Sequence, residues 1–402
     1  MLSTCKMAAS DAKHVPIKDN PSGVNTYEIE ATVVTGFENV ARDDVEEQLG
    51  VPVKAGRGKI TMQVPDEKLD EIMKLNSVDN IYVVLNHFPD FVFPATEEEC
   101  MLELRRLVPK VSWEIGLKVW SRFFSFKNDI SSQPQDPWNT EFVKELEEGV
   151  IVAHDPPLAE NSNKPNEALP SSESGDALPE SNPDASQDTG PPAPKIPRIR
   201  DPDLPAFRVT CYRSGKHIFQ SPQVAVHFGG TVQDYFGWNV NLKNFDIEIV
   251  ITVEAHHVYV SVALTRESRH KRHIEHFGST TLRPTIAYNM LRMCKIKPGD
   301  ILCDPMCGGG SIPIEAVLNW SNCVCLSGDL NEQAWEKAEL NVDALNKKRS
   351  ENKGDSLKID VLSWDVTNLP LKTSSVDVCI TDMTFIKEWL EDEELASLPQ
   401  GT

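Results

Sequence analysis

The chain has 402 residues, of which 40% are hydrophobic and 25% charged, and its net charge is −21. This composition is typical of a soluble globular protein with two or three domains. No apolar run approaches the roughly 20 residues that cross a bilayer, and the nine cysteines form no CxxC pair. We therefore expect no membrane partner and a reduced, intracellular protein, in the cytoplasm and also in the nucleus.

The negative charge is unevenly distributed. Residues 141–190 hold 12 acidic and 2 basic residues, whereas RESRHKRH (266–273) holds four basic residues, one acidic residue and two histidines. Local basic stretches can bind a phosphate backbone even in an acidic chain. The net charge therefore does not exclude a nucleic-acid partner.

The first 130 residues predict a disordered tail and an α+β domain. Residues 1–26 are polar without a pattern. From residue 27 a strand (YEIEATVVTGF), a helix ended by Gly50, two strands around Gly-Arg-Gly, a helix (DEKLDEIMKLN) and a strand (VDNIYVVLNHF) follow. This β-α-β-β-α-β order is ferredoxin-like. With the helical, aromatic-rich stretch 96–130 it makes an N-terminal domain of residues 27–130.

The middle of the chain, residues 131–276, combines a predicted disordered insert with strands. Residues 155–205 are rich in Pro, Ser, Asn and acidic residues and cannot bury enough apolar surface to fold. Strand-like alternation returns in FRVTCYRSGKHIFQS, FDIEIVITV and VYVSVAL, while VAVHFGGTVQDYFGWNVNL has no assigned element. Arg208, Arg213 and Lys216 are candidate phosphate contacts, although a solvated sheet face would carry the same residues.

From residue 283 helices and strands alternate. The helices are RPTIAYNMLRMC, SIPIEAVLNW and NEQAWEKAELNVDAL, and the strands are DILCDP, NCVCLSGD, SLKIDVLSWD and VDVCITD. Alternation predicts a parallel, doubly wound sheet, here a Rossmann-like domain over 277–402. Ligands of such sheets bind beyond the carboxyl ends of the strands.

The first strand of this domain leads into DPMCGGGS (304–311). Three glycines let backbone N–H groups touch a ligand, although a tight turn without a ligand is the simpler alternative. The stretch lacks the Gly-Lys-Ser/Thr of a Walker A loop and the G-x-G-x-x-G spacing of a dinucleotide site, which disfavours an NAD-dependent enzyme. An acid before the glycines suits a cation. S-adenosylmethionine carries a sulfonium and an ammonium group, and Asp304 suits the ammonium.

Acids also end the following strands. Asp329 ends the second strand, where a carboxylate accepts hydrogen bonds from two ribose hydroxyls. Asp365 ends the third and is placed to meet the adenine. In TDMTF (381–385), Asp382 can accept a hydrogen bond from an exocyclic amine, and Phe385 can stack on a nucleobase. Each could be an ordinary strand-end acid, cap or core residue, but acids at successive strand ends favour a cofactor site.

These residues resemble the class I methyltransferases with an Asn/Asp-Pro-Pro-Phe/Tyr-type motif. With FRVTCYRSGKH, VNLKNFDIEI and FGSTTLRPTIAYNML, the chain is similar to the THUMP-domain-containing tRNA guanosine N2-methyltransferases over roughly residues 27–385. The resemblance implies a THUMP domain that binds the tRNA 3′ end, N2-methylation of a guanine in the acceptor-stem region, and a small zinc-binding activator subunit. It implies these site residues: Asp304, Gly308 and Gly310 at the methionyl end of the cofactor, Asp329 at the ribose, Asp365 at the adenine, Asp382 at the target amine and Phe385 at the base face.

The sequence departs from the family pattern near its end. The family's Asp-Leu-Pro-Phe-Gly-Lys reads Asp-Met-Thr-Phe-Ile-Lys at 382–387, and 17 residues follow Phe385. A full class I sheet has three more strands, so we expect a methyltransferase domain truncated after its fourth strand, with impaired catalysis. The alternative function is a tRNA- or partner-binding form whose methyltransferase domain is inactive.

The remaining metal-ligand residues do not predict a metal site. The cysteines at 303, 307, 323 and 325 match no common zinc spacing, and three of them fall on predicted buried strands. HKRHIEH (270–276) is better explained as a basic stretch that faces RNA or another domain. We therefore expect no metal in this chain.

Overall fold

The computed structural model describes residues 25–126, 130, 202–269, 272–278 and 281–383. The predicted tail up to residue 24 and the predicted insert up to residue 201 lie outside the described residues. In the described part of the chain, none of the helices has the length and apolar character needed to cross a membrane.

The first half of the described chain forms one eight-stranded sheet in the order β2-β3-β1-β4-β8-β7-β5-β6. Its strands are β1 (Thr26–Thr32), β2 (Val53–Gly56), β3 (Lys59–Pro65), β4 (Ile81–Phe88), β5 (Ala206–Ser214), β6 (Asn239–Val240), β7 (Ile247–Glu254) and β8 (His257–Ala263). Its helices are α1 (Glu38–Leu49), α2 (Leu69–Ile72), α3 (Glu97–Arg105), α4 (Trp113–Phe123) and α5 (Ser221–Phe236). The order β2-β3-β1-β4 confirms the predicted ferredoxin-like unit.

The ferredoxin-like unit and the THUMP-like strands share this sheet because β4 pairs with β8. The two strands are antiparallel from Tyr82 opposite Ala263 to Phe88 opposite Val258, with an irregularity between Val84 and Asn86. One hydrophobic core lies under both units, and its largest fully buried side chains include Trp113, Trp120, Phe207, Phe219 and Phe228. The two units therefore pack as a single body.

Glycines explain two features of this body. Gly50 adopts the left-handed conformation (φ 61°) and ends α1, as the sequence predicts. Gly229 and Gly230 lie inside α5, which is why the sequence does not show this helix clearly. A Cβ atom on Gly229 would lie 3.3 Å from Cγ2 of Val209, so the glycine lets α5 pack closely against β5.

The second half forms a parallel four-stranded sheet in the order β11-β10-β9-β12. Its strands are β9 (Ile301–Asp304), β10 (Val324–Asp329), β11 (Ile359–Ser363) and β12 (Val378–Cys379), and its helices are α6 (Pro284–Met293), α7 (Ser311–Asn319) and α8 (Glu332–Glu351). This arrangement confirms the predicted Rossmann-like domain. Strand β9 lies inside the sheet, with β10 and then β11 on one side of it and β12 on the other.

Polar side chains join the two bodies. Asp44 of α1 is fully buried, accepts a hydrogen bond from the Tyr288 hydroxyl (3.0 Å) and forms an ion pair with Arg292 (Oδ1–Nε 3.1 Å). The Thr285 hydroxyl donates to the Asp79 carboxylate (2.6 Å). These buried contacts fix helix α6, and with it the parallel sheet, against the ferredoxin-like unit.

Candidate active site

The carboxylate of Asp304 lies at the carboxyl end of β9 and is 3% exposed. Burial, with the negative charges of Asp329 and Asp382, raises the pKa of Asp304 to about 7. The backbone N–H of Met306 donates to this carboxylate (3.3 Å). A buried acid with a raised pKa is stabilised in its charged form by a cationic ligand.

The glycine turn follows directly. Gly308 (φ 52°) and Gly310 (φ 85°) both adopt the left-handed conformation that side chains disfavour. A Cβ atom on Gly308 would have no neighbour within 4 Å, whereas one on Gly310 would lie 3.2 Å from Cβ of Ala338. Gly308 therefore faces open space that a ligand can occupy. Gly310 allows the start of α7 to pack closely against Ala338 of α8.

Asp329 ends β10 with both carboxylate oxygens oriented by the backbone. Oδ2 accepts the N–H of Gly308 (3.1 Å), and Oδ1 accepts the N–H of Asn331 (2.9 Å). A carboxylate has about four lone-pair positions, so each oxygen can still accept one hydrogen bond from a ligand. This geometry fits the predicted contact with a pair of vicinal hydroxyls.

Asp365 follows β11 and lies at the surface. Its Oδ1 accepts hydrogen bonds from the backbone N–H (2.8 Å) and the hydroxyl (2.7 Å) of Thr367, which hold the pKa of Asp365 below its usual range. The adjacent Trp364 is buried, and its indole N–H donates to the Pro305 carbonyl (3.0 Å). Trp364 thus ties the third strand end to the loop after Asp304.

Gly328 is a residue of the site that the sequence patterns did not predict. A Cβ atom on Gly328 would lie 2.3 Å from the Leu362 carbonyl oxygen and 2.7 Å from the Trp364 ring. Only a glycine therefore allows Trp364 to pack beside Asp329. The sequences Ser-Gly-Asp and Ser-Trp-Asp at the ends of two neighbouring strands are the signal that could have predicted the packing of Gly328 against Trp364.

We expect Gly328→Ala to lower the free energy of unfolding by about 1–3 kcal/mol, because the added methyl group overlaps backbone as well as side chain. The matched control is Gly230→Ala in α5, where a Cβ atom meets nothing within 4 Å. Urea unfolding of both variants measures the difference. Equal stability of the two variants would contradict the proposed close packing at Gly328.

Asp382 lies beyond β12, which is adjacent to β9 in the sheet. Cys379 is in register with Cys303, and the N–H of Ile380 donates to the Cys303 carbonyl (2.9 Å). Asp382 is half-buried, and its charge contributes to the raised pKa of Asp304. The structure therefore brings Asp304, Asp329 and Asp382 together at one end of the sheet. Phe385 lies outside the described residues, and its role stays a prediction.

The three candidate RNA contacts do not form one cluster. Arg208 is paired with Glu248 (Nη2–Oε1 2.8 Å), and its guanidinium stacks 3.9 Å from the centre of the Phe245 ring. Arg213 lies five residues further along β5, about 16 Å away at the rise of a strand, and contacts the Gly215 carbonyl (3.3 Å). Lys216 is exposed beside it. The contact of all three residues with RNA phosphates stays a prediction.

A cleft of about 420 Å³ opens at the Arg208 end of the sheet. It is lined by Lys243, Asn244, Phe245, Asp246, Arg266 and Glu267. Lys243 is exposed, and it was not predicted as a contact because it is an isolated base in its segment of the sequence. The cleft offers two cations, two carboxylates and an aromatic side chain next to the segment that leads into the parallel sheet.

Comparisons with known proteins agree with this architecture. The THUMP domain model matches residues 195–263, and the model described as an RMKL-like methyltransferase domain matches residues 269–400. The tRNA (guanine(6)-N(2))-methyltransferase THUMP3 of Bos taurus is 39% identical over 381 residues, which cover 89% of this chain and 74% of that protein. This chain belongs to the THUMP3 family. Its parallel sheet is the methyltransferase domain of that family.

Solved structures show the same fold for the THUMP3-family chain. The crystal structure of TrmN from Thermus thermophilus matches with a TM-score of 0.54 at 19% identity and covers 90% of this chain and 81% of that one. SMU.472, a putative methyltransferase complexed with S-adenosylhomocysteine, matches with a TM-score of 0.53 at 14% identity, covering 89% and 80%. The cofactor of this methyltransferase domain is S-adenosylmethionine, and the buried Asp304 and the open turn at Gly308 fit it.

Proposed function

We propose that this chain transfers a methyl group from S-adenosylmethionine to the exocyclic N2 amine of guanine 6 in the acceptor stem of a tRNA. The observation that carries the proposal is the convergence of Asp304, Gly308, Asp329 and Asp382 at the carboxyl ends of parallel strands in a THUMP3-family chain. The THUMP3 relatives are named for guanine 6, which supports this position as the substrate.

Each strand end has its own role toward the cofactor. Asp304 neutralises the ammonium group, while Gly308 and Gly310 present a turn without side chains to the methionyl end. Asp329 accepts hydrogen bonds from the ribose hydroxyls. Its two carboxylate oxygens are oriented by the backbone N–H groups of Gly308 and Asn331. Asp365 would contact the edge of the adenine. When bound, the cofactor supplies an electrophilic methyl group on its sulfonium.

Asp382 acts on the guanine. Its carboxylate accepts a hydrogen bond from the N2 amine, whose lone pair is otherwise delocalised into the ring. The hydrogen bond increases electron density on the nitrogen and holds the amine in position for transfer. The proton that the amine loses would pass to the Asp382 carboxylate, and the cofactor would leave as S-adenosylhomocysteine. Phe385 supports the base by stacking on its face. The reaction then needs neither a metal ion nor a covalent enzyme intermediate.

The THUMP-like part of the sheet holds the 3′ end of the tRNA. The cleft at Lys243, Phe245 and Arg266 supports this role because cations bind phosphates and an aromatic side chain can stack on a terminal base. Arg213 on β5 and Lys216 just after it add positive charge at the far end of the strand, while the charge of Arg208 is balanced by Glu248.

We expect the double substitution Lys243→Glu and Arg266→Glu to weaken tRNA binding at least about tenfold and to reduce its salt dependence. Reversal of Arg213 and Lys216 should weaken binding less, since these residues lie at the other end of β5. Filter binding at several salt concentrations measures both effects. Unchanged affinity in the first variant would rule out the cleft as the 3′-end site.

A small zinc-binding activator subunit completes the proposed enzyme. In the described part of the parallel sheet, β11 is an edge strand. Leu362 on this strand and Val366 just after it are each 41% exposed. An exposed edge with apolar side chains can accept a strand from a partner, and we place the activator there.

The substrate is tested with two transcripts of one tRNA, which carry either a G–C or an A–U pair at position 6. Labelled S-adenosylmethionine should methylate the first transcript and not the second, and removal of the 3′-terminal CCA should reduce the rate. Equal methylation of both transcripts would overturn the position. Binding of both without any methylation would favour the alternative, a tRNA-binding form without catalysis.

A further inference from the structure

Asn341 of α8 is fully buried, and all its side-chain hydrogen-bonding groups are used. Oδ1 accepts the backbone N–H groups of Glu275 (3.0 Å) and His276 (2.8 Å). Nδ2 donates to the carbonyls of His276 (3.1 Å) and Gly309 (2.9 Å). One side chain thus joins the glycine turn to the segment that precedes the parallel sheet. No role of Asn341 follows from the proposed cofactor contacts.

This segment, the connector, comprises the described residues of 264–283, between β8 and α6. It touches the glycine turn a second time, where the Ser311 hydroxyl donates to the Leu282 carbonyl (2.7 Å). Gly309 faces the connector directly, since a Cβ atom there would lie 3.8 Å from the His276 carbonyl oxygen. Two contacts therefore tether the glycine turn to the connector, one through Asn341 at Gly309 and one at Ser311.

The other end of the connector is held by the first body. The Arg269 N–H donates to the Asp79 carbonyl (2.8 Å), and the Arg269 guanidinium donates to the Asn76 side chain (3.0 Å). Arg272 then pairs with Glu315 of α7, which is fully buried (Nη2–Oε2 2.9 Å). Hydrogen bonds and an ion pair therefore run from the ferredoxin-like unit through the connector to Asn341 and the turn.

We infer that Asn341 is a positioning residue that couples RNA binding by the first body to cofactor binding at the glycine turn. The inference rests on the proposed function for its ligands, but the tether itself is a property of the free protein. Arg266 of the connector lines the cleft proposed for the tRNA, so bound tRNA would hold the connector in place. The carbonyl of Gly309 is then held through Asn341, and Gly308 keeps the conformation that faces the cofactor. By linkage, the cofactor must then favour tRNA binding by the same factor.

The test is the isosteric substitution Asn341→Asp, which keeps the acceptor Oδ1 and places an oxygen against the carbonyls of His276 and Gly309. The matched control is Asn346→Asp on the same helix, which adds the same charge but keeps its acceptor bond from the Leu357 N–H (2.8 Å). Calorimetry measures S-adenosylhomocysteine binding with and without unmodified tRNA. Hydrogen exchange of residues 305–312 in the free protein reports the tether without any ligand.

We expect Asn341→Asp to weaken cofactor binding about tenfold, to abolish the effect of tRNA on cofactor affinity, and to speed exchange of the turn. tRNA affinity without cofactor should stay within about twofold, and Asn346→Asp should behave like the parent chain. The inference would be overturned if Asn341→Asp showed the same hydrogen exchange of the turn and the same effect of tRNA on cofactor affinity as the parent chain.

Two further results keep the inference separate from folding and from the proposed function. If Asn341→Asp does not fold, Ser311→Ala removes the second tether, and it should weaken the coupling and speed exchange of the turn; parent-like values would overturn the inference. If the parent chain binds no cofactor, the proposed function fails, while exchange of the turn in the variant still decides whether Asn341 tethers it.

Discussion

Replacement of Asp382 by alanine is expected to lower methyl transfer at least about a thousandfold while cofactor affinity stays within about twofold. The loss follows because no other carboxylate is assigned to the target amine, and a positioned proton acceptor contributes about 10²–10⁴ in rate. Cofactor binding should persist because Asp304, Gly308 and Asp329 are unchanged. Single-turnover methylation and calorimetry with S-adenosylhomocysteine measure the two quantities.

The matched variant Asp382→Asn separates position from charge. Its amide oxygen still accepts a hydrogen bond from the amine, so we expect an intermediate loss of about 10–100-fold. A rate equal to that of the parent chain in Asp382→Ala would show that the amine is held by another group. A loss of cofactor binding in the same variant would show that Asp382 belongs to the cofactor site instead.

Cofactor affinity is expected to rise by up to about tenfold per pH unit between pH 5 and about 7, and to level off until the ammonium group of the ligand itself loses its proton near pH 8. In the free protein, the pKa of Asp304 is raised to about 7 by burial. A bound ammonium group favours the carboxylate, so binding below pH 7 must expel a proton and is weaker there. Asp304→Asn should bind weakly at every pH and lose this dependence.

Two ligands provide the control for the pH profile. S-adenosylhomocysteine keeps the ammonium group but lacks the sulfonium charge, and it should show the same dependence. Methylthioadenosine lacks the ammonium group and should show none. A flat profile for S-adenosylhomocysteine would contradict the assignment of Asp304 to the ammonium end.

The same ionisation affects the fold. Because the pKa of Asp304 in the folded chain lies above the usual value near 4, the folded state binds the proton more tightly than the unfolded state. The stability of the ligand-free protein therefore falls as the pH rises from about 4 to about 7. Bound cofactor should reduce this loss.

Local sequence patterns predicted most helices and strands, because each element has its own hydrophobic periodicity and is bounded by residues that favour turns or helix ends. Gly50 ends α1 as expected, and alternation from residue 283 gave the parallel sheet. Helix α5 was not assigned, since Gly229 and Gly230 reduce its helical signal and their reason is packing against β5. The pairing of β4 with β8 could not be predicted either, because no local pattern specifies which strands pair when their residues are 170 or more positions apart.

The candidate site was predictable where a strand end and a residue type coincide. Asp304, Gly308, Gly310, Asp329 and Asp382 meet at one edge because parallel strands share their carboxyl ends. Gly328 and Asn341 were missed, since their importance depends on neighbours 34 and 66 residues away in sequence. The pairing of Arg208 with Glu248 was also hidden, because it depends on the register of β5 and β7.

The most direct test is methylation of unmodified tRNA by the full chain, co-expressed with the proposed activator subunit. Labelled S-adenosylmethionine is the methyl donor, and the product is analysed as nucleosides. The account predicts label in N2-methylguanosine, with none above background in Asp382→Ala. Label in a different nucleoside, or equal label in Asp382→Ala, would contradict it. tRNA binding without any label would leave an RNA-binding protein that does not catalyse the reaction.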